Sequence, residues 1–295
     1  VRIIVGFPAG GATDVIARMI ADKLRGSLAP AVLVENRAGA SGRLAAEFVK
    51  QSDPDGTTLL FTPDFLMTVY PHSFRKLSYD PLRDFVPVAT ASGSMLTLAA
   101  GPGLPASITT VAGYLDWCRA NPKQATYATT SAGATPHFVG VMLARATGVD
   151  LTAVHYKGGA QSLQDLMGGQ IPVSVNPVSE AIPQIRAGKI RVLAVTGDKR
   201  VSALPDVPTL GELGFPELSV GVWLGVVAPA RTPPAVVNRL SQQINLAMTQ
   251  PDVVEKFAVM GLEPLPGNPE KTAAFIRAES DKWSKVIREA GIKPQ

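Results

Sequence analysis

The feature that most constrains the fold is a repeated junction at which a hydrophobic strand meets a cluster of small residues that begins a helix. The four junctions read Phe7-Pro-Ala-Gly-Gly-Ala-Thr-Asp14, Asn36-Arg-Ala-Gly-Ala-Ser-Gly42, Thr130-Ser-Ala-Gly-Ala-Thr-Pro136 and Tyr156-Lys-Gly-Gly-Ala-Gln-Ser162. Backbone N–H groups at a helix N-terminus, with the helix dipole behind them, favour an anion. Small residues let a ligand approach that backbone closely. The junctions therefore predict a mouth lined with amide donors that binds a small carboxylate or another oxyanion.

Strands and helices alternate along most of the chain. Short apolar runs predict strands at Ile3–Phe7, Ala31–Glu35, Thr58–Thr62, Thr126–Thr129, Leu151–Tyr156, Ile171–Asn176 and Ile190–Thr196. Helices are predicted at Pro136–Thr147, Pro234–Thr249 and Pro269–Ala290, among others. This alternation predicts an α/β fold with doubly wound sheets, in which ligands bind outside the carboxyl ends of the strands.

Proline and glycine clusters indicate the domain boundaries. One cluster covers 101–106, and another runs from Leu204 to Pro216, each beside a hydrophobic run. We expect a first lobe made of residues 1–100 plus 221–295 and an inserted second lobe of residues 101–220. A chain that crosses twice between lobes predicts a hinge suited to closure around a ligand.

Two polar residues at the junctions have alternative interpretations. Thr135 is predicted to cap the helix that begins at Pro136, and its hydroxyl or the adjacent amides would also suit a ligand. Asp14 lies in the first turn of a helix, where a carboxylate either caps the helix or holds waters that bridge to the ligand. Capping is the preferred interpretation of Asp14.

Composition excludes several classes of protein. The chain has 295 residues, of which 46% are hydrophobic and 18% charged, and its net charge of +4 comes from scattered Lys and Arg. We therefore expect no nucleic-acid partner and no disordered segment.

Cys118 is the only cysteine, so no intrachain disulfide can form, and a buried thiol is predicted. The sequence contains no run of about 18 apolar residues, so we predict no membrane span. The chain begins inside strand material, and we expect that an export signal has been removed.

Enzymatic function is the main alternative from another class. The G-x-G-x-x-G, P-loop and G-x-S-x-G motifs are absent, so we expect no catalytic residues and no cofactor. His72, His137 and His155 do not have metal-ligand spacing, and no metal site is predicted. A hydrolase or transferase that uses Ser131 or Asp14 with His137 is the remaining enzymatic reading.

Several segments of the chain are similar to segments of one protein family. The segment at 7–14 is similar to the first ligand loop of the periplasmic solute-binding proteins of tripartite tricarboxylate transporters, the Bug family. Other matching segments are Glu35–Ala40, Lys76–Pro81 with Asp84–Val88, Tyr127–His137, His155–Gly159, Asp165–Gln170, Pro205–Thr209 and Ala228–Ala230. The resemblance covers nearly the whole chain and is carried by the order and spacing of these segments.

The resemblance implies a type II periplasmic binding protein, in which two α/β lobes with a hinge close on a small carboxylate in the cleft between them. The implied ligand-binding residues of the first lobe are Phe7, Ala9, Gly10, Gly11, Asp14 and Phe65, with Phe65 on the loop after Thr58–Thr62. Those of the second lobe are Ser131, Ala132, Gly133, Ala134, Thr135, His137, Tyr156, Lys157, Gly158 and Asn176. The implied setting is the periplasm and the implied partners are membrane permease subunits of a tripartite transporter, with a monomer expected. A ligand sensor that presents its closed form to a membrane receptor kinase is an alternative with the same binding site.

Some of these residues have plainer interpretations. Helix packing or solvent contact is the alternative for His137, and a solvated loop side chain is the alternative for Lys157. Tyr156 would stack on a ligand or hydrogen-bond to it. Asn176 stands where the family often has Asp, and a neutral amide removes a partner for a ligand ammonium. We therefore expect a carboxylate without an amino group, either a di- or tricarboxylate or an aromatic acid.

Overall fold

The chain folds into two compact units in the computed structural model, which describes residues 1–289, 291 and 294. Unit 1 comprises Val1–Gly93, Trp223–Phe257 and Glu263–Gln295, and unit 2 comprises Ser94–Val222 and Ala258–Leu262. The chain therefore passes from one unit to the other after residues 93, 222, 257 and 262. Ala290, the predicted end of the last helix, lies outside the described residues, as do residues 292, 293 and 295.

Strands and helices follow one another as the sequence predicts. The strands are β1 (Arg2–Val5), β2 (Leu33–Asn36), β3 (Thr58–Pro63), β4 (Phe85–Ala100), β5 (Thr126–Thr129), β6 (Thr152–His155), β7 (Val173–Pro177), β8 (Arg191–Val195), β9 (Gly221–Pro229) and β10 (Glu263–Pro264). The helices are α1 (Ala12–Leu24), α2 (Arg43–Lys50), α3 (Phe65–Thr68), α4 (Tyr70–Ser73), α5 (Val111–Ala120), α6 (Thr135–Thr147), α7 (Gly159–Met167), α8 (Val178–Arg186), α9 (Pro234–Met248), α10 (Pro251–Val259) and α11 (Pro269–Glu289).

The sheet of unit 1 is built around β1. This strand pairs in parallel with β2 on one side and β3 on the other, with Ile3 opposite Val34 and Leu59. β9 pairs with β3 in the antiparallel sense and lies next to β4, to which β10 adds. Parallel neighbours need crossover connections, and α1 and α2 supply them between β1, β2 and β3. The carboxyl ends of β1 and β2 thus meet at one edge of the sheet.

The sheet of unit 2 is centred on β4, β7 and β5. β5 pairs in parallel with β6 and with β7, so that Thr129 lies opposite His155 on one side and Val175 on the other. β4 pairs antiparallel with β7 and with β8. Three parallel strands therefore deliver the turn at 130–134, the turn at 156–158 and the end of β7 to the same edge.

Helix α5 and the buried aromatic rings complete the core of unit 2. Thr110 caps α5 by accepting the N–H of Gly113 at 3.1 Å. Tyr114, Tyr127 and Phe138 are fully buried. Cys118 is buried as predicted, and burial raises the pKa of its thiol, so that the thiol stays protonated.

Unit 1 includes the long helices α9 and α11. α9 packs on α1, and α11 packs on α3, α4 and α9. Trp283 of α11, together with Tyr70 and Phe257, is among the largest buried side chains. Within the described residues, no helix combines the length and the apolarity needed to cross a bilayer.

One long strand differs from the sequence-based interpretation. β4 runs for 16 residues without interruption, and the change from unit 1 to unit 2 falls inside it, after Gly93. The sequence placed the first boundary at 100/101 because the glycine and proline cluster that follows is the stronger local signal. The second boundary, placed at 220/221, lies just before β9, which begins at Gly221, whereas the observed change to unit 1 falls inside that strand, after Val222. That the two units act as lobes of a clamp stays a prediction.

Candidate functional site

The turn after β1 is organised by the carboxylate of Asp14. Gly11, rather than Asp14, is the N-cap of α1, and Asp14 is the third residue of the helix. Its Oδ2 accepts the N–H of Gly10 at 2.9 Å and the Arg18 Nε–H at 3.0 Å. Its Oδ1 accepts a hydrogen bond from the Asn36 side-chain amide at 2.8 Å and lies 2.9 Å from a terminal nitrogen of Arg18. Asp14 thus stabilises the first turn of α1 through these contacts, and both of its carboxylate oxygens have protein partners.

The charge of Asp14 is stabilised despite burial. The side chain is 3% exposed. Burial alone raises the pKa of this carboxyl, but the hydrogen bonds from Arg18, Gly10 and Asn36 and the charge of Arg18 outweigh burial, and the pKa lies below its usual value. Arg18, one turn further along the helix, compensates the negative charge locally. An anionic ligand near this turn therefore meets an acid that is already paired.

Asn36 ties the second junction to the first. Its amide nitrogen donates to the Phe7 carbonyl at 3.1 Å as well as to Asp14. Beyond it, Ala40 and Ser41 have positive φ angles of 46° and 55°, a region that residues with a side chain rarely occupy. The Tyr70 hydroxyl donates to the Ser41 carbonyl at 3.1 Å and helps to hold this turn.

Phe7 and Phe65 form an aromatic wall beside the first turn. Their ring centroids are 5.9 Å apart in an edge-to-face arrangement, and Phe65 also contacts Tyr70. Phe65 is the first residue of α3 and is buried, so its predicted position on a loop is wrong. Ala9 and Gly10, by contrast, are exposed, and Phe7 and Gly11 are partly exposed. The structure thus brings the predicted first-lobe residues of unit 1 together.

The predicted residues of unit 2 also gather at one sheet edge. The turn after β5 carries Ser131, Ala132, Gly133 and Ala134, of which Ala132 is partly exposed and the others are buried. The turn after the neighbouring β6 carries Lys157, which is exposed, and Gly158, the N-cap of α7. Both turns lead directly into helices, so amide groups without intrahelical partners point towards this edge.

The predicted cap at Thr135 is wrong. Ala134 occupies the N-cap position of α6 with φ −94° and ψ 168°, and Thr135 is the first helical residue, with Pro136 after it. Proline lacks an N–H and is tolerated throughout the first turn, so its presence does not fix the preceding residue as the cap. Thr135 is fully buried at the start of the helix.

His137 stabilises the turn after β5. Its Nδ1 accepts the N–H of Gly133 at 3.1 Å, which places the proton of the neutral ring on Nε2. The His155 ring lies edge-on to His137, 4.7 Å away between centroids. Burial, followed by the neighbouring His155, lowers the pKa of His137 to about 4. His137 is therefore a neutral acceptor at neutral pH. In the described part of the chain, no group of three His, Cys, Asp or Glu side chains is placed to hold a metal ion.

Tyr156 is directed towards helix α7. Its hydroxyl donates to Asp165 Oδ2 at 2.8 Å, and its ring packs against the cluster that includes Leu163 and Leu166. Burial and the bond to Asp165 raise the pKa of Tyr156 to about 12. The hydroxyl already has an acceptor, so Tyr156 positions the turn that follows it.

Asn176 lies at the centre of a buried polar cluster. The side chain is fully buried, and its Oδ1 accepts hydrogen bonds from the hydroxyls of Ser162, at 2.9 Å, and Ser174. Its Nδ2 donates to Oε2 of Glu180 at 3.3 Å. The cluster thus has a carboxylate beside the neutral amide, so the position of Asn176 no longer argues against a ligand with an amino group.

Sequence reasoning missed Arg18, Asn36 and Glu180. Arg18 follows Asp14 by four residues on one helix, and this spacing was an available signal for an ion pair. Asn36 and Glu180 had no such signal, because their partners lie on other elements.

Comparisons with known proteins agree with this arrangement. The sequence model for the tripartite tricarboxylate transporter family receptor matches residues 16–292. Protein BugT of Bordetella pertussis is 34% identical over 294 residues, covering 99% of this chain and 90% of that protein. The structure of periplasmic binding protein BugD is 32% identical, with a TM-score of 0.93, and R. palustris Rpa4515 with adipate is 33% identical, with a TM-score of 0.94. Each comparison covers 100% of this chain and 98% of the other.

The matches extend over the whole chain rather than over one motif. The mixed α/β fold is that of the periplasmic binding proteins, and the relatives are binding proteins rather than enzymes. Together with the paired amide-lined turns, these matches show that this chain belongs to the tripartite tricarboxylate transporter receptor family, the Bug group of periplasmic binding proteins.

Proposed function

We propose that this protein is a periplasmic solute-binding protein that captures a small carboxylate and delivers it to a tripartite tricarboxylate-type transporter. The candidate ligands are di- and tricarboxylates and aromatic acids. The observation that carries the proposal is the placement of the turns after β1, β5 and β6, each at the carboxyl end of a parallel strand and each leading into a helix. The adipate bound by a relative supports the same ligand class.

In unit 1, we assign capture to the backbone of Ala9, Gly10 and Gly11, with Phe7 and Phe65 as the apolar wall. The Gly10 N–H is held by Asp14, and the other amides at the start of α1 lack intrahelical acceptors and attract a carboxylate. Asp14 does not repel the ligand carboxylate strongly, because Arg18 forms an ion pair with Asp14 at 2.9 Å. Its role is to hold the turn in shape.

In unit 2, we assign the remaining contacts to Ser131, Ala132, Gly133, Ala134, Thr135 and Gly158. Small side chains here allow close approach to the amides of the two turns other than the Gly133 N–H, which His137 accepts. His137 holds the Gly133 end of the first turn through its Nδ1. Tyr156 and Asn176, whose polar groups bind protein partners, position the site, and the exposed Lys157 adds a favourable positive charge.

Delivery of the ligand to the membrane completes the proposed cycle. The ligand favours the closed form of the two lobes through its additional contacts there, and the closed form then docks on membrane permease subunits. The protein acts as a monomer in this scheme. Small-angle scattering with and without ligand tests it, because closure reduces the radius of gyration and dimerisation increases it.

A thermal-shift screen followed by calorimetry tests the binding function. The purified protein is mixed with mono-, di- and tricarboxylates, aromatic acids and amino acids, with the matching amides as controls. A ligand at 100 times its dissociation constant adds about 2.7 kcal/mol to the free energy of unfolding. We expect stabilisation by one class of acid, none by the derivative in which every carboxylate has become an amide, and no consumption of the acid. Failure of every carboxylate to stabilise the folded protein contradicts the proposal.

A further inference from the structure

The carboxylate of Glu180 lies against the N-terminus of α7. A Cβ atom built on Gly159, the first residue of that helix, would overlap Glu180 Oε2 and come within 2.5 Å of its Cδ. Only glycine leaves room for the carboxylate at this point. The end of α7, which the sequence predicts as a site for a ligand anion, thus already faces an acid supplied by the protein itself.

Buried hydrogen bonds hold this acid in place. Ser162 and Ser174 both donate to Asn176 Oδ1, which leaves the Nδ2 of the same amide directed at Glu180. Ser162, Ser174 and Asn176 are all buried. These bonds therefore fix the orientation of the Asn176 amide, and its N–H group holds Glu180 Oε2 in position.

A negative group at this position changes what the neighbouring turn can bind. The positive end of a helix dipole is partly neutralised by an adjacent carboxylate. A second carboxylate, brought in by a ligand, would be repelled by the first within a few ångströms. A ligand group that donates hydrogen bonds, such as a hydroxyl, an amide or an ammonium, would be attracted.

Building on the proposed function, we infer that Glu180 is a specificity-determining residue of the ligand site. Within the carboxylates proposed above, it narrows the choice: it disfavours a second carboxylate at the α7 end of unit 2 and favours a ligand with one carboxylate and a hydrogen-bond-donating group at its other end. The turn after β5, in the same unit, keeps its proposed role of binding a carboxylate.

Three acids with the same six-carbon chain test the inference. Adipate has a carboxylate at both ends, its monoamide has one carboxylate and one amide, and 6-aminohexanoate has one carboxylate and one ammonium. Their affinities are measured by calorimetry for the unaltered protein and for Glu180→Gln. Glu217→Gln, which removes an exposed carboxylate of the same unit, is the matched control.

We expect the unaltered protein to bind the monoamide or 6-aminohexanoate about tenfold more tightly than adipate, since each tenfold step corresponds to about 1.4 kcal/mol. Glu180→Gln should bind adipate about tenfold more tightly than the unaltered protein does and 6-aminohexanoate more weakly. Glu217→Gln should bind all three acids as the unaltered protein does. Gly159→Ala, which displaces the Glu180 carboxylate without removing it, should shift the preference in the same direction as Glu180→Gln.

If the unaltered protein and Glu180→Gln bind adipate with equal affinity, the proposed role of Glu180 is wrong. It is also wrong if neither protein binds any of the three acids. Neither result bears on the proposed function, which the wider acid screen decides. Circular dichroism of each variant confirms that a change in affinity does not reflect unfolding.

Discussion

The Asp14 carboxylate has four close contacts with donor atoms although it lies almost entirely out of solvent. Replacing Asp14 with Asn removes its charge and one acceptor oxygen, and it removes the ion pair with Arg18, which keeps its hydrogen bond to Asn36 Oδ1. Because hydrogen bonds to buried charged groups contribute more than neutral ones, we expect Asp14→Asn to lower the free energy of unfolding by about 2 kcal/mol. Urea denaturation measures the change. Asp22→Asn on the same helix, whose side chain is 67% exposed, should change it by less than about 0.5 kcal/mol. Equal effects of the two substitutions would contradict the structural role of Asp14.

His137 makes stability depend on pH. Folding lowers its pKa from an ordinary 6.5 to about 4. The contribution of this residue is therefore complete above pH 6.5, is lost as the pH falls from 6.5 to 4, and stays lost below that. A shift of this size corresponds to about 3 kcal/mol. Urea denaturation at pH 7 and pH 4 measures the loss.

The variant His137→Asn isolates this contribution, since its side-chain oxygen offers an acceptor to the Gly133 N–H but does not titrate. We expect the difference in stability between pH 7 and pH 4 to be smaller in the variant than in the unaltered protein. The same difference in both proteins would show that other groups cause the acid sensitivity.

Residues close in sequence were more predictable than residues that meet only in the fold. The Gly and Ala turns and Asp14 were identified because each signal lies within one junction. Asn36 and Glu180 were not, since Asn36 contacts Asp14 from 22 residues away and Glu180, on α8, contacts Gly159 on α7. Thr135 was assigned as a cap one residue too late along the motif, because proline is compatible with more than one position of the first turn.

Helix α6 approaches the sheet closely at a single glycine. A Cβ built on Gly140 would overlap the Tyr127 ring and lie 2.6 Å from its Cε1, and the Tyr127 hydroxyl donates to the His137 carbonyl at 2.8 Å. Alanine normally favours a helix, but here it displaces a buried ring. We expect Gly140→Ala to destabilise the protein by about 2 kcal/mol in urea denaturation, a typical cost of overpacking.

A double substitution separates crowding from other effects of Gly140→Ala. Tyr127→Leu shortens the side chain that the added methyl group would meet, so Gly140→Ala should cost less in that background than in the unaltered one. Strictly additive effects would mean that the contact with Tyr127 is not the cause.

Elements with strong apolar runs were predicted within one or two residues. β5 matches its predicted range, and the other predicted strands differ only at their ends. β4 was missed because its sequence mixes small and polar residues with Pro87 and Gly93 and shows no regular alternation. What identifies β4 as a strand is its pairing with β7, β8 and β10, which depends on residues far away in the sequence.

The two units of the molecule are connected by four chain crossings. The short segment Ala258–Leu262 belongs to unit 2 but is attached at both ends to unit 1, and Leu262 is buried. Unfolding of unit 1 therefore releases both ends of a segment that belongs to unit 2. We expect one cooperative unfolding transition.

Tryptophan fluorescence reports each unit separately. One variant retains only Trp117, on α5 of unit 2, and another retains only Trp283, on α11 of unit 1. Urea should unfold both signals with the same midpoint, after allowance for the stability of each variant measured by circular dichroism. Two distinct midpoints within one variant, one by fluorescence and the other by circular dichroism, would contradict cooperativity.

The position of α11 has a consequence for synthesis of the chain. This helix packs on α3, its Ser280 hydroxyl lies 2.9 Å from His72 Nε2, and its Trp283 is buried. The helix that carries Phe65 therefore lacks this packing partner until the ribosome has translated Pro269–Glu289. A premature stop codon before residue 269 would leave every predicted ligand-binding residue in place in the product and still deprive the first turn's aromatic wall of its support.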